Sequence, residues 1–247
     1  MRTFKADLHI HSILSPCACL EMSPKNIVSK ALENHLDIIG ITDHNSTRQC
    51  NIIAKEADKT GLTVYMGVEI TTQEEIHCLA YFSNPGDLND FQAVLDNHLP
   101  DMKNDPSLFG YQVVVDEDEN IVYTEDKLLI NALNLGIEKI EALVHNHNGI
   151  FIPAHINKPK NSIISQLGFI PDSLNADAFE ITKHGIEFND FMMNEKIAGN
   201  TAFIKNSDAH YPEEIGKSFT EFEMESTDFS EFRLALKNLM GRKVVSA

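Results

Sequence analysis

Short apolar runs alternate with amphipathic stretches along most of the chain. Runs at residues 4–10, 37–42, 62–70, 76–82, 150–154, 177–181 and 202–205 have the length and bounding turns of buried strands. Between several of them apolar residues recur at helical spacing, most clearly where Ser23 and Pro24 precede Ile27, Val28, Ala31, Leu32 and Leu36. Ser23 suits a helix N-cap, because its side-chain oxygen can take a free backbone N–H, and Pro24 suits the first helical position, where a missing N–H costs nothing. The same spacing predicts helices over 46–59, 87–97, 125–133, 137–146, 187–198 and 228–240. Strands that alternate with helices imply βα units and a parallel sheet.

Residues 100–124 break this rhythm. Apolar segments at 111–115 and 121–123 flank the run Asp116-Glu117-Asp118-Glu119-Asn120, which predicts a small hairpin inserted into the α/β series, its acidic tip kept in solvent by like-charge repulsion. At 247 residues and 43% hydrophobic content the chain can bury one substantial core, so a single domain over 1–247 with an insertion at about 100–124 is expected.

The opening residues, MRTFKADLHIHS, contain no apolar stretch of secretory length, and no window reaches the ~18 apolar residues of a membrane span, so a cytoplasmic protein without a membrane partner is expected. Cys17, Cys19, Cys50 and Cys78 are too few for a disulfide framework in a chain this long and are expected as thiols. A formal charge of −17 argues against a broad basic surface for nucleic acid, which is therefore disfavoured as a partner. A small anionic substrate remains compatible, since bound cations reverse the local potential of an acidic protein. Nothing in the sequence indicates the oligomeric state.

The position of the histidines matters more than their number. Asp7-Leu8-His9-Ile10-His11 ends the first strand, and the period of two puts His9 and His11 on one face. Asp43 and His44 follow the second run, Glu69 ends the third, His77 begins the fourth, His155 closes the fifth, and Asp208 and His210 follow the last. An isolated histidine in such a place is more often a packed core residue, but a set of them with carboxylates at the C-terminal ends of strands matches where α/β folds put active sites. Imidazole and carboxylate together are the donors that Zn, Mn and Fe accept.

The segments DLHIHS (7–12), ITDHNS (41–46), GVEITTQEEIH (67–77), IPAHINKP (152–159) and NSDAHYPEEIG (206–216) resemble, in order and spacing, the motif series of the PHP family, named for polymerase and histidinol phosphatase. With SQLGFIP (165–171) and the insertion, the chain is most similar to stand-alone bacterial and archaeal PHP phosphoesterases. That resemblance implies an α/β fold, a distorted seven-stranded (β/α) barrel, with two to three divalent metal ions at its C-terminal mouth. It implies one metal on His9, His11, Glu69 and Asp208, a second on His44 and His210 with a further loop ligand, and a third on Glu69, His77 and His155. The loop after the first strand departs from the family pattern: Glu21 is its one carboxylate and Cys17 its nearest thiol, so Glu21, Cys17 or water completes the second site. Glu21 equally suits a first-turn helix charge.

The expected activity is hydrolysis of a small phosphorylated metabolite or nucleotide by water that the metals activate. Asp7 and Asp43 are candidates to orient neighbouring imidazoles or assist acid–base steps, with strand-end hydrogen bonding the alternative. Lys158 is a candidate phosphate ligand, standing where similar proteins often have Arg. Lys183 and His184 end another predicted strand, and His184 is a candidate for the pocket wall. His35, His98, His145 and His147 fall in helices or at their ends and read as structural. Two alternatives remain: an exonuclease-like phosphodiesterase acting on nucleic-acid ends, and a non-catalytic module that metals brace.

Overall fold

The computed structural model describes residues 1–183 and 201–246. The predicted helix at 187–198 and His184 lie outside those residues. In chain order the first six strands are β1 (Arg2–Ile10), β2 (Ile38–Ile41), β3 (Thr63–Thr71), β4 (His77–Phe82), β5 (Val113–Val115) and β6 (Ile121–Thr124). They are followed by β7 (Ile150–Pro153), β8 (Ala178–Ile181), β9 (Ala202–Lys205), β10 (Thr220–Met224) and β11 (Lys243–Ser246). The helices are α1 (Pro24–Glu33), α2 (Cys50–Ala57), α3 (Pro85–His98), α4 (Pro106–Phe109), α5 (Ile137–Asn146), α6 (Ile163–Leu167) and α7 (Phe229–Leu236). Ser23 caps α1 as its sequence predicts, its side chain accepting from the Asn26 N–H.

Seven strands make one curled sheet in the order β11-β10-β1-β2-β3-β4-β7, beside a β8-β9 pair and a β5-β6 hairpin. Residues on the strands belong to two apolar clusters. One gathers Phe4, Leu8, Ile38, Tyr81, Ile152 and Ile204. The other joins Ile39, Ile41, Val68 and Ile70 to helix residues such as Ile27, Ile53, Phe91 and Ile140. Burial on both faces explains why the runs at β2 and β7 are without polar residues, and why β8 is too except for the buried Glu180.

The sheet differs from the all-parallel expectation. β1, β2 and β3 run parallel, but β4 is antiparallel to both β3 and β7. The link from Thr71 to His77 is too short for the crossover helix that a parallel neighbour needs. The predicted helix at 125–133 is also absent: those residues form turns around an isolated bridge at Lys127. Their backbone groups are taken elsewhere. The Gln112 amide donates to the carbonyls of Glu125 and Lys127 and accepts from the Leu129 N–H, while Asn45 donates to the carbonyls of Leu129 and Asn131. Strands β10 and β11 were not foreseen; β10 has no continuous apolar run but alternates buried Thr220, Phe222 and Met224 with half-buried Glu221 and Glu223, the period-two pattern of a strand with one wetter face. No helix among the described residues is long and apolar enough to cross a membrane. All four cysteines are free.

Gly40 lets β1 and β2 approach closely. A Cβ there would stand 2.4 Å from the Leu8 carbonyl oxygen and 2.8 Å from its carbon. Those are backbone atoms in a stretch held by two further bonds, from the Leu8 N–H to the Asn206 side-chain oxygen and from the Tyr81 hydroxyl to the Leu8 carbonyl. Gly40→Ala is therefore predicted to destabilise the fold by about 1–3 kcal/mol, the usual cost of overpacking. Urea unfolding would read this as a lower midpoint, and an unchanged midpoint would refute the tight approach.

Candidate metal centre

The C-terminal ends of β1, β2 and β3, the last residues of β7 and the turn after β9 converge. Ile10 bridges Ala209 in parallel, and the Ala209 N–H donates to the His9 carbonyl while the His11 N–H donates to the Ala209 carbonyl. His77, the first residue of β4, reaches the same end because β4 is antiparallel and pairs Thr71 with His77. The reversal that breaks the parallel pattern is therefore what brings His77 to the mouth.

Glu69 stands at the middle, buried. Its Oε1 lies 2.9 Å from His77 Nδ1, 3.3 Å from His9 Nε2 and 3.3 Å from His155 Nε2. Its Oε2 lies 3.1 Å from His44 Nδ1 and 3.4 Å from His11 Nε2. Burial opposes ionisation, yet His77, His9 and His44 hold the Glu69 carboxyl well below the usual carboxylate range. Asp208 Oδ1 lies 3.4 Å from both His9 Nε2 and His11 Nε2, and 3.8 Å from His210 Nδ1. All eight core residues predicted from the strand ends are thus gathered in one place.

Residues around this group fix the rings. Glu180, on β8, was not singled out in the sequence. Both its oxygens lie 3.1 Å from His9 Nδ1, and it also accepts from the His155 N–H and from Asn206 Nδ2. A buried glutamate inside the apolar run Ala178–Ile181 is the signal that could have found it. Ser15, also not foreseen, lies 3.1 Å from His11 Nδ1 and donates to Asp43 Oδ1 at 2.7 Å. Asp43 further accepts from the Ser12 N–H and hydroxyl. Asp43 thus reaches His11 through Ser15. Asp7 accepts from the N–H groups of Ser207 and Gly216, tying the last loop to β1, and burial pushes its carboxyl up to about 6.

These contacts test whether a metal fits. If both rings are neutral, with Nδ1 of His9 donating to Glu180 and Nδ1 of His11 donating to Ser15, the two Nε2 lone pairs face each other across 3.3 Å; without a cation, Glu180, Glu69 and Asp208 overcome burial and hold the His9 imidazole well above its ordinary pKa. Two lone pairs at that separation repel unless a cation stands between or beside them. His155 Nδ1 is buried without a hydrogen-bond partner, a costly state that a cation would relieve, and His44 Nδ1, though 3.1 Å from Glu69 Oε2, makes no hydrogen bond to it. Three sets have ligand atoms within 4.8 Å of one another: His9, His11 and Asp208; His11, His44 and His210; and His44, Glu69 and His77. Imidazole and carboxylate donors in that number suit a divalent transition metal. His155 and Asp208 also adopt left-handed backbone angles, φ 32 and φ 56 respectively, conformations that non-glycine residues hold where surrounding contacts enforce them.

The remaining candidates are less central. Lys158 Nζ lies 3.0 Å from Asp208 Oδ2, at the edge of the cluster. Glu21 is exposed and, among the described residues, makes no side-chain contact with the cluster. Cys17 is exposed on the same loop. Lys183 is exposed, and His184 lies outside the described residues. His98, His145 and His147 bond to Asn134, Asp177 and the Leu143 carbonyl, away from the cluster, and His35 is exposed.

A profile of the PHP domain matches residues 7–180, well over half of the chain. The chain belongs to the PHP family. A PHP-associated profile matches residues 200–239, so Asp208 and His210 come from this second segment while the other six core residues come from the PHP domain proper. The uncharacterized protein YqxK of Bacillus subtilis (strain 168) is 26% identical over 278 residues, covering all of this chain and 65% of YqxK, so the chain spans just under two thirds of that relative.

Among solved structures, the lesion-specific endonuclease EndoQ of Pyrococcus furiosus superposes with a TM-score of 0.72 at 21% identity, over 98% of this chain and 58% of that one. Endonuclease Q in complex with a 27-mer duplex bearing an abasic lesion gives a TM-score of 0.68 at 20% identity, over 98% of this chain and 58% of that one. An inferred metal-dependent phosphoesterase from Bifidobacterium adolescentis gives 0.58 at 19% identity, over 83% of this chain and 87% of that one. At these identities the likeness is one of fold. It lends no support to the expectation that nucleic acid is disfavoured as a partner.

In this PHP chain Glu180 is the shared support of His9 and of the His155 backbone. Glu180→Gln keeps the size but removes the charge that favours Nδ1–H on His9. It is predicted to weaken Zn binding by roughly 10–100-fold, as loss of an outer partner to a metal-ligating histidine typically does. Competition with a chromophoric chelator measures this, and unchanged affinity would remove Glu180 from the role.

Proposed function

We propose that this PHP chain is a metal-dependent hydrolase that cleaves a phosphate ester of a small phosphorylated metabolite or nucleotide, with water as the nucleophile. The observation that carries the reading is the buried Glu69 carboxylate among five imidazoles, of which His155 keeps a buried nitrogen, Nδ1, without a hydrogen-bond partner. Two or three divalent ions, Zn, Mn or Fe, when bound, supply a lowered pKa for water and polarisation of the phosphoryl oxygens. His9, His11, His44, Glu69, His77, His155, Asp208 and His210 are the residues we assign to hold them.

Glu180 and the Ser15–Asp43 pair keep the rings of His9 and His11 turned so that Nε2 faces inward. We read Asp7 and Asp43 as positioning residues, since both are buried and committed to backbone N–H groups or serine hydroxyls. Lys158, less buried than its partner Asp208, is assigned to take the substrate phosphate as a point charge. The side chains sit on a rigid frame, which we infer to be a distorted seven-stranded barrel of β1, β2, β3, β4, β7, β8 and β9 within one unit spanning 1–247. Supporting the closure, the Asp177 N–H donates to the Phe151 carbonyl and the Ile156 N–H to the Glu180 carbonyl, while Asn206 and Ala209 join the end of β9 to β1.

A second reading, cleavage of a phosphodiester in nucleic acid, is favoured by the likeness to endonuclease Q over 98% of this chain. The chain spans 58% of those endonucleases, so their activity does not transfer directly. The metal-braced module without catalysis is disfavoured by a donor set that is nearly complete, lacking only a loop ligand for the second metal. Purified protein loaded with Mn²⁺ or Zn²⁺ and offered p-nitrophenyl phosphate, nucleoside monophosphates and short oligonucleotides separates the three. Turnover of the small esters, abolished by EDTA and by Glu69→Ala, is the expected result. Turnover of oligonucleotides alone would favour the second reading, and bound metal without turnover the third. Lys158→Ala is expected to raise KM for the small ester about tenfold, equivalent to ~1.4 kcal/mol, with kcat less affected. An unchanged KM would remove Lys158 from phosphate binding.

A further inference from the structure

We propose that the excursion at residues 100–124 is a docking surface for an extended, basic and apolar segment of another protein, which adds as a strand to the open edge of β6. The excursion makes up about a tenth of the chain, yet it carries seven of the fifteen exposed large hydrophobics among the described residues: Met102, Leu108, Phe109, Tyr111, Ile121, Val122 and Tyr123. Three of these residues, Ile121, Val122 and Tyr123, are consecutive on one strand, and apolar exposure gathered in this way on a folded chain marks a contact surface.

The hairpin has two unlike sides. Val113, Val114 and Val115 of β5 are buried, with Val115 held by Gln49. β6 pairs with β5 on one side, and among the described residues no strand lies on its other side. All four residues of β6 are exposed, Ile121 at 64% and Val122 at 61%. Open edges usually carry a lysine, a proline or a charge that discourages pairing. The β6 sequence, Ile121-Val122-Tyr123-Thr124, has none of these and is rich in residues that favour strands. The one irregularity in the pairing, between Val114 and Val115, lies toward the acidic turn.

Charge decides the kind of occupant. Residues 100–124 contain six carboxylates, Asp101, Asp105, Asp116, Glu117, Asp118 and Glu119, against the single cation Lys103. An incoming strand with lysine or arginine at its ends or on its outward face meets complementary charge, whereas an anionic one is repelled. A second copy of this chain is a poor match. Antiparallel pairing of β6 with itself about Val122 and Tyr123 would set Glu119 of one copy opposite Asp126 of the other and Asn120 opposite Glu125. Directly opposed like charges destabilise a strand pair. A foreign basic strand has no such conflict, and main-chain hydrogen bonds to an open edge give such additions their affinity.

The test uses the full chain and a nine-residue peptide of alternating lysine and valine. The peptide is expected to bind saturably and to slow amide exchange at residues 121–124. A glutamate-for-lysine version, and a version N-methylated at two adjacent central residues so that neither edge can pair, are each expected to bind at least tenfold more weakly. The Ile121→Lys, Val122→Lys double variant, altered at exposed positions, should keep the wild-type melting temperature and lose at least tenfold in affinity. The proposal is overturned if exchange at 121–124 is unchanged, if the N-methylated peptide binds equally well, or if the double variant binds as wild type. A concentration-dependent dimer that protects β6 without peptide would overturn it in favour of self-pairing.

Discussion

A carboxylate taken out of water must be matched, and Glu69 is matched by imidazoles from four different parts of the chain. His9 and His11 come from β1, His44 from the end of β2, His77 from β4, and His155 from the end of β7. Burying charge without partners costs several kcal/mol per ion, so the ends of these strands are constrained jointly rather than one at a time. Imidazole nitrogens alone do not balance the group: His155 Nδ1 is left without a hydrogen-bond partner, and the His9 and His11 Nε2 atoms stand 3.3 Å apart, a contact in which neutral rings would oppose their lone pairs. That imbalance is the physical reason for reading the site as one that holds cations.

The fold serves this requirement through features that would otherwise look like irregularities. The antiparallel turn at β4 delivers His77 to the mouth. The segment matched as PHP-associated folds back so that Asp208 and His210 meet the first strand, and Asp7 anchors that return through Ser207 and Gly216. Glu180 connects three elements with one side chain, reaching His9, the His155 N–H and Asn206. Asn206 in turn bonds the Leu8 N–H, next to His9. Around the mouth, positional precision therefore comes from a few buried polar contacts laid over a largely apolar sheet.

Much of this was legible in the residues. Strands buried on both faces leave largely apolar runs, and most of the donors follow those runs at one end of the sheet; His77, which begins its run, and the selection of the eight core residues came from the resemblance to the PHP motif series. Residues whose role depends on a partner far along the chain were not visible. Glu180 acts on His9, and Ser15 links Asp43 to His11; neither relation has a local spacing. The stretch 125–133 has helical periodicity, yet Gln112 and Asn45 take its backbone groups, so tertiary hydrogen bonds override local preference there. The direction of β4 was encoded in the shortness of the link before it, a signal that strand periodicity does not contain.

The central claim is that the Glu69 cluster is a metal centre, and anomalous X-ray scattering tests it most directly. Crystals of protein purified without chelators, measured at the Zn, Fe and Mn edges, are predicted to show two or three anomalous peaks. These should lie at ligand distances of roughly 2.0–2.3 Å from the donor atoms of His9, His11, His44, Glu69 and Asp208. An absence of peaks in protein supplied with all three metals, with His9 Nε2 still directly against Glu69 Oε1 near 3.3 Å, would contradict it.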